Sequence, residues 1–445
     1  MASTYLIRST PSETFSKLTV SCWFKGMADG TQRNFWGLYD NSDNTRFFGL
    51  YYSSNGSLYA YWKQGGEGIQ FTLGTMQKFR DPSAWYHFVM TMDTTLATAS
   101  DRVKFYVNGE RVTSFEDSLD TITQNKTCNM MNGTTDGRMQ WGGGKISGTQ
   151  YYWNGLMSHC HMCVGYAYDA SSFGSTDATT GEWKITTSPS VSYGTNGGFW
   201  LKDGSQLTDS SSNSNTLTVG GGTLTNTEDC PSNIFATLNP LVNNAGEMMR
   251  LTNGNTSCQS NATEGNSWKL AVSTLGMTSG KYYWEIKFDN VHNCYNNGVM
   301  GSNVLTLNAQ NPMNQTGYTG FYNQDGGEFR KDNTDTTVDY GLYNTGDIMG
   351  IACDMDNYTI TFYKNGVSHV SSQSISTTGR DVVFPCSVFY NTNNTGIPQA
   401  SYNFGNGYFG TTAVSSAGTN ASGNGIFEYD VPTGYTALST KGLNL

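Results

Sequence analysis

DRVKFYVNGERV (residues 101–112) and DNYTITFYKNGV (residues 356–367) are one device used twice, once in each half of the chain. Each is a run of alternating β-branched and aromatic residues that reaches Asn-Gly and then resumes as strand. Asn-Gly is the strongest short-range hairpin signal, because a type I′ turn needs positive φ at both central positions. Each hairpin sits in a longer strand-rich stretch. LTVSCWF (18–24), FFGLYY (47–52), LYAYW (58–62) and WYHFVMTM (85–92) precede the first, with Asp/Asn/Ser/Gly turns between them, and YYW (151–153) and a strand over 156–168 follow it. GKYYWEIKF (280–288) and DIMGIAC (347–353) precede the second, and PCSVF (385–389) and ASYNF (400–404) follow it; the turn 354–357 joins two of its strands. Short strands with regular turn signals are the all-β signature. No 3.6-residue period or heptad is sustained, which excludes a coiled-coil stalk. The fold class expected is all-β, two tandem antiparallel β-sandwiches.

At 445 residues the chain suits two domains plus a connector. Residues 1–170 form the first sandwich and 238–445 the second. Residues 171–237, richest in Ser, Thr, Asn and Gly, read as an ordered connector. A structureless stretch of that length inside a compact protein is unusual, and Trp183, Phe199, Trp200 and Leu201 suggest that part of it packs back as one or two strands.

Only 13% of residues are charged, about half the usual share, while 13% are aromatic and 52 are Gly. Aromatics recurring along the whole length exclude disorder. The net charge is −10 and the 25 Lys and Arg form no basic stripe, which excludes a nucleic-acid partner. No apolar run reaches membrane-spanning length, and the N-terminus lacks the basic head and apolar stretch of a signal peptide. An odd count of nine cysteines without repeated spacing points to buried free thiols and away from a disulfide framework. Sequons at Asn125, Asn132, Asn255 and Asn261 carry no weight in a chain this rich in Asn, Ser and Thr.

Residues 78–115, with their Trp-Tyr-His strand and Asn-Gly hairpin, resemble the concanavalin-A/laminin-G-like domain of structural proteins of tailed phages. DASSFGSTDATTGEWK (169–184) and YGTNGGFWL (193–201) resemble the connector of the same proteins. NIFATLNPL (233–241), SGKYYWEIKF (279–288), residues 346–367, YNFGNGYF (402–409) and VPTGYTALSTKGLNL (431–445) resemble their SPRY-like domain. The order is right and most of the chain is covered. The sequence departs from the family in 116–160 and 289–345, where Asn/Gly-rich loops on a rigid sandwich are the expected place for specificity.

Several constellations invite chemistry. His159, His161 and Cys163 would share one strand face at period 2, as metal ligands can; packed core or interface side chains are the preferred reading, and no metal is assigned. Asp40, Asp43 and Asn44 offer hard oxygens of the kind calcium takes, and equally make a polar hairpin turn. Tyr322 and Asp325, in YNQDGGEF (322–329), combine an aromatic ring with amides and carboxylates, which suits a sugar or a solvated loop. These five residues are the candidate ligand-binding positions. Asp354 and Asp356 lie in a turn, and Glu285 and Asp289 flank a strand end without a third partner, so no catalytic residue is assigned. No nucleophile elbow, P-loop or dinucleotide fingerprint is present. Trp23, Trp62, Trp85 and Trp284 are expected in the core.

The resemblance implies a non-enzymatic virion structural protein, made in the host cytoplasm, that presents a recognition surface as a capsid- or tail-associated fibre or adhesin. Its expected partners are other virion proteins, further copies of itself as a homo-oligomer, and host-surface glycans, with no cofactor beyond a possible Ca²⁺ and no membrane insertion. An architectural decoration protein and a glycan-degrading enzyme are the two alternatives.

Overall fold

The computed structural model describes residues 4–26, 30–116, 122–130, 136–202, 207–242, 249–260, 267–291, 295–305, 311–336, 338–391 and 397–444. Asn132, Asn261 and Cys294 lie outside them. The chain forms two compact units, Met1–Asn226 and Thr227–Leu445.

The first unit is built from β1 (Tyr5–Ser9), β2 (Lys17–Gly26), β3 (Arg33–Asp40), β4 (Asp43–Tyr52), β5 (Leu58–Gln64), β6 (Ile69–Gly74), β7 (Tyr86–Asp93), β8 (Val103–Val107) and β9 (Glu110–Arg111). They are followed by β10 (Gly137–Trp141), β11 (Gly143–Ile146), β12 (Thr149–Tyr152), β13 (Gly155–Val164), β14 (Gly174–Thr176), β15 (Trp183–Ile185), β16 (Gly198–Trp200) and β17 (Thr218–Gly221). A seven-stranded sheet runs β17-β1-β10-β3-β4-β5-β6 and a six-stranded sheet runs β16-β13-β2-β7-β8-β9. Trp36, Trp62, Trp141 and Trp200, all fully buried, belong to the one core cluster the two sheets share. Burying one such ring removes about 150–250 Å² from water, worth about 4–6 kcal/mol before entropy is counted.

Strand β5 shows the rule that sorts the faces. Leu58, Ala60 and Trp62 are buried in that core, while Tyr59, Tyr61 and Lys63 alternate with them and stay partly exposed. Period 2 sends successive side chains to opposite faces.

The stretch expected as a connector does not form a body of its own. β16 pairs with β13 and β17 with β1, so residues up to 226 complete the edges of both sheets of the first unit. Phe235, Ala236 and Leu238 are instead buried in the second unit, where Ala236 N–H donates to Leu438 O.

The second unit contains β18 (Arg250–Thr252), β19 (Ser257–Gln259), β20 (Ser267–Val272), β21 (Lys281–Asn290), β22 (Tyr295–Gly301), β23 (Tyr318–Tyr322), β24 (Glu328–Lys331), β25 (Thr334–Asp335) and β26 (Ile348–Asp354). Then come β27 (Thr359–Lys364), β28 (Val367–Ser374), β29 (Val383–Asn391), β30 (Gln399–Asn403), β31 (Tyr408–Phe409), β32 (Thr412–Ala413) and β33 (Thr436–Ala437). One sheet runs β18-β19-β30-β21-β26-β27-β28 and the other β20-β29-β22-β23-β24-β25. Trp284, Ile286, Phe288, Phe321, Ile351 and Phe389 meet between them. The expected antiparallel pairing has one exception among the named strands: β33 joins β21 in parallel, Tyr282 opposite Thr436. The two units are thus the two β-sandwiches read from the sequence.

Both Asn-Gly turns adopt the predicted geometry, with φ of 47° and 83° at Asn108-Gly109 and 50° and 79° at Asn365-Gly366. Each Asn does more than tolerate positive φ. Asn108 Oδ1 accepts from His87 N–H at 2.8 Å while Asn108 N–H donates to His87 O at 2.9 Å. Asn365 Oδ1 accepts from Ile348 N–H at 2.8 Å and its N–H donates to Ile348 O at 2.9 Å. In both units the turn residue extends the ladder of the strand behind it.

Eight cysteines are described, all free thiols, and each except Cys230 is buried. Trp62 and Trp284 lie in the inter-sheet cores. Trp23 is buried elsewhere, stacked on His87 outside the core cluster. The strand expected over 156–168 ends at Val164, where Gly165 turns the chain at φ 84°.

The twin turns give a double test. Asn108→Gly or Asn365→Gly keeps positive φ accessible but strands a backbone N–H, and is expected to cost about 1–2 kcal/mol. The corresponding Ala variants add a left-handed backbone penalty of roughly another 1 kcal/mol. Equilibrium urea unfolding of the full chain measures both; Gly variants as stable as the parent would show that the amide bond contributes nothing.

Candidate recognition face

The turn after β3 engages the first group of candidates in backbone work. Asp40 Oδ1 accepts from Ser42 N–H at 3.0 Å, Ser42 Oγ–H at 2.6 Å and Asp136 N–H at 3.3 Å. Asp43 Oδ1 accepts from Thr45 N–H at 2.8 Å and Thr45 Oγ1–H at 2.7 Å. Those bonds, the hydroxyl's first, hold the Asp43 carboxyl below its ordinary range. The amide of Asn44 lies against Gly148, where a Cβ would come within 2.9 Å of it. The three residues are brought together, as a hydrogen-bonded turn. Among the described residues no group of three or more His, Cys, Asp or Glu is arranged to hold a metal ion.

Tyr322 and Asp325 lie in the second unit. Tyr322, at the end of β23, has the Arg330 guanidinium over its ring at 4.7 Å, and its hydroxyl is 2.9 Å from Gln324 Oε1. Arg330 is itself held by Asp335 through two bonds of 2.5 Å. One face of the Tyr322 ring is therefore covered. Asp325 is exposed in a left-handed turn, φ 52°, ahead of Gly326-Gly327.

The histidine strand departs from simple alternation. Ser158 pairs with Trp23 and His161 with Ser21, so His159 and Cys160 both oppose Cys22, and His159 takes φ 48°. This β-bulge inserts His159 as an extra residue on β13, and its ring still lies beside Phe199 at 5.5 Å, as that of His161 does at 4.0 Å. Cys160 enters the inter-sheet core, while Cys163 joins a separate cluster with Val89 and Phe173.

Glu285 and Asp289 sit four residues apart on β21, about 13 Å along a strand, further than the 5–9.5 Å of a glycosidase pair. Glu285 accepts from Glu428 N–H at 2.8 Å, Tyr429 N–H at 2.9 Å, Tyr283 O–H at 3.2 Å and Asn403 Nδ2–H at 3.2 Å. It pins the C-terminal segment to the sheet. Burial pushes its carboxyl up to about 7, against the pull of those bonds.

The side chains best placed to meet a partner are ones the sequence reading took only as strand residues. Strands β4 and β5 of the seven-stranded sheet pair Phe47 with Lys63, Gly49 with Tyr61 and Tyr51 with Tyr59. These residues alternate with core members Phe48, Leu50, Ala60 and Trp62, so they form the outer face. The Tyr51 and Tyr59 rings lie 5.2 Å apart and within 11° of parallel, and Phe47 meets Tyr61 edge-on at 5.0 Å. A Cβ on Gly74 would lie 2.2 Å from the Tyr59 ring, so that ring rests directly on β6.

Two borders frame this face. On one side lies the β11–β12 hairpin: Gly144 Cα is 3.2 Å from where a Gly37 Cβ would be, and Ile146 lies over Gly49. On the other, Glu116 accepts from Tyr59 O–H at 2.7 Å and Asn55 Nδ2–H at 3.1 Å and pairs with Lys78. The Lys78 bond holds the Glu116 carboxyl down to about 2. Parallel phenol rings with an amide, an ammonium and a carboxylate at the rim can stack a flat apolar surface and hydrogen-bond its edge. The alternation in Leu58-Tyr-Ala-Tyr-Trp62 was the available signal, since Tyr between inward Leu, Ala and Trp must face out. A depression in the second unit beside Val299, Thr319 and Arg380 holds about 150 Å³ of empty space, open solvent included, below the usual range for a small-molecule site.

Residues 2–162 match the family model of the concanavalin A-like lectin/glucanases superfamily, and residues 281–399 match that of the SPRY domain. The chain therefore carries a concanavalin-like domain followed by a SPRY domain. No curated protein matches it. Among solved structures, the SPRY domain of human HERC1 is 18% identical with a TM-score of 0.30, covering 37% of this chain and 96% of its own. A heptameric SAP-like pentraxin from Limulus polyphemus is 15% identical at TM-score 0.30, covering 50% and 90%. The CBM40 of a Ruminococcus gnavus sialidase, bound to α2,3-sialyllactose, is 18% identical at TM-score 0.27, covering 35% and 80%.

Two measurements test these assignments. Because the turn uses the Asp40 and Asp43 oxygens, millimolar Ca²⁺ is expected to leave the melting temperature unchanged, and Asp43→Ala to cost about 1 kcal/mol with or without it; a Ca²⁺-dependent rise abolished by Asp43→Ala would restore the metal site. For Glu285 the folded-state value is raised, so its stabilising contribution is greatest below the unfolded value near 4.3, falls as pH rises toward 7, and is level above that. The stability difference between the parent and Glu285→Gln is expected to follow that curve in chemical denaturation, and a difference independent of pH would remove the assignment.

Proposed function

We propose that this protein is a non-enzymatic recognition component of a tailed-phage virion, contacting glycans of the host surface through the outer face of its first unit. The observation that carries the reading is the Tyr51–Tyr59 pair, two parallel rings on the solvent-directed face of a strand pair, with Tyr61 beside them and Lys78 and Glu116 at the rim. A pyranose presents a flat C–H face and a hydroxyl edge, and this arrangement complements both. The resemblance to phage structural proteins supports the virion setting, with other virion proteins and further copies of the chain as partners. The separation of Glu285 from Asp289 and the bonds that engage both support binding without hydrolysis; Asp289 accepts from Ser401 Oγ–H at 2.6 Å. A shallow face without an enclosed cavity gives modest affinity, which repetition over a symmetric particle converts into avidity.

A glycan array probed with the full chain, preassembled on beads for multivalency, tests the reading. Retention of one glycan class is expected, with Tyr51→Ala and Tyr59→Ala each weakening binding roughly tenfold, about 1.4 kcal/mol, and leaving the fold intact by circular dichroism. Binding unaffected by both substitutions would move the site elsewhere. No glycan binding, together with cryo-electron microscopy density showing the chain packed only against coat protein, would favour an architectural decoration role, and absence from purified virions would end the virion reading.

A further inference from the structure

Three of the five histidines, His87, His159 and His161, are buried on the outer face of the six-stranded sheet, away from the aromatic face described above. Residues 166–197 cover them. This arm leaves the sheet after Gly165, makes a short 3₁₀ turn at Ala170–Ser172, folds into the β14–β15 hairpin and returns at β16.

His87 meets two indoles. Trp23 stacks on its ring at 4.8 Å, and the arm's Trp183, centroid 5.9 Å away, meets its edge, each within 16° of parallel. An indole nitrogen can only donate, so Trp183 Nε1–H donates to His87 Nδ1 at 3.0 Å. The proton of His87 is therefore on Nε2, which donates to Ser21 Oγ at 2.8 Å. The ring is neutral in one tautomer, and a proton added at Nδ1 would face the indole N–H donor head-on. Trp183 cannot slide aside to relieve this: a Cβ on Gly109 or Gly174 would lie 2.3 or 2.5 Å from its ring, so the indole fills a slot between two glycines.

His161 contacts the same arm. Phe173 lies 5.0 Å and Tyr193 6.0 Å from it, ring to ring, and Tyr193 Oη is 3.0 Å from His161 Nδ1. Phe199 of β16 stacks on it at 4.0 Å. Other polar ties also hold the arm: Thr19 Oγ1–H to Tyr166 O, Tyr168 N–H to Thr19 Oγ1, Thr91 Oγ1–H to Tyr168 O, Tyr106 O–H to Asp169 Oδ1 and Val164 N–H to Tyr193 O. Residues 188–197 further accept from Arg8, Lys202, Asn213 and Asn215, and Asn196 donates to Glu13.

We propose that residues 166–197 are an acid-released arm: charging His87 breaks its bond to Trp183, charging His161 buries a cation beneath Phe173 and Tyr193, and together they lift the arm, exposing the aromatic layer beneath it. Burial holds His87 down to about 3 and His161 well below its ordinary value, and the neighbouring His159 pushes both the same way. An exposed imidazole binds its proton near 6.5. The closed state is thus fully favoured above about pH 6.5 and loses ground as pH falls below it. Well below pH 6.5 each histidine shifts the balance about tenfold per pH unit toward the open arm; across the first unit, from about 6.5 to about 5.5, the shift is about fivefold each and about 30-fold for the pair.

Other ionisable groups facing the cluster do not drive opening in that window. Burial raises Tyr106, Tyr193 and Cys163, which remain neutral. Asp169, Asp209 and Lys202 also lie beside the arm, and the bond from Lys184 holds the Asp177 carboxyl below its ordinary range.

Hydrogen–deuterium exchange on the full chain, corrected for the intrinsic pH dependence, tests the proposal. Between about pH 6.5 and about pH 5.5, arm amides such as Tyr168, Thr186 and Ser192 are expected to gain about 30-fold in exchange relative to β2 amides. Exchange of the arm that does not rise, or that rises only together with β2, overturns it. His87→Gln keeps a donor and an acceptor without a site for a proton, and is expected to reduce the rise to about fivefold; an unchanged rise in a folded His87→Gln variant overturns it too. Should that variant fail to fold, the pH series on the parent chain decides alone.

Discussion

A chain of rings closes the first unit: Trp200 to Trp141 at 6.3 Å, Trp141 to Trp36 at 6.3 Å, Trp36 to Phe48 at 5.5 Å and Phe48 to Trp62 at 5.8 Å. Its members come from β16, β10, β3, β4 and β5, so the row binds both sheets and reaches from residue 36 to residue 200. Rings of this size are costly to leave in water and demand neighbours at close-packed density. That demand makes Trp200 part of the first sandwich although it lies deep in the polar, Ser- and Gly-rich stretch. The same demand fixes which way β4 and β5 face. Once Phe48 and Trp62 point inward, Tyr51, Tyr59 and Tyr61 have no choice but to point out.

What was legible in the sequence follows from what is local. Asn-Gly turns, the strand Leu18-Thr-Val-Ser-Cys-Trp-Phe24 and the turn at 354–357 depend on a few consecutive residues, and each forms where it is read, although Thr19, Ser21 and Trp23, alternating as on a half-buried strand, are themselves buried. The bulge at His159 depends on β2, more than a hundred residues earlier, and no local period announces it. The slot for Trp183 is made by Gly109 and Gly174, which sequence presents as one hairpin glycine and one loop glycine. Asp40 and Asp43 illustrate another limit. An Asp/Asn/Ser turn has the same composition whether its oxygens turn toward a cation or toward backbone N–H groups, and only the bonds to Ser42, Thr45 and Asp136 distinguish the two. The two glycan candidates were sought where sequence was polar, in Tyr322-Asn-Gln-Asp, whereas the half-buried stacked rings Tyr51 and Tyr59 sit within strands that looked apolar.

The outer faces of the first unit are put to different uses by one device, an accessory hairpin laid across a sheet. β11–β12 lies across the seven-stranded sheet over Gly37 and Gly49 and leaves the Tyr51–Tyr59 pair uncovered beside it. β14–β15 lies across the six-stranded sheet and buries its polar residues. Both hairpins need glycines beneath them because a strand of one layer approaches the backbone of another. The β11–β12 hairpin and Glu116 fall within 116–160, one of the two Asn/Gly-rich loop segments where the sequence reading expects specificity to lie.

The low charge of the chain gives this arrangement its chemical character. With 13% charged residues, most polar contacts run between amides, hydroxyls and backbone groups, whose strength changes little with salt or pH. Sensitivity to solution conditions is then confined to the few ionisable groups that burial has moved toward neutrality. In the second unit these include Glu285 beneath the C-terminal segment, Asp289 and His369, and in the first the histidine layer beneath the arm. Glu285 and the histidine layer each sit under a segment that crosses an outer sheet face. Losing a proton at Glu285, or gaining one at the histidines, can therefore loosen a covering segment while the aromatic core holds the sandwich together.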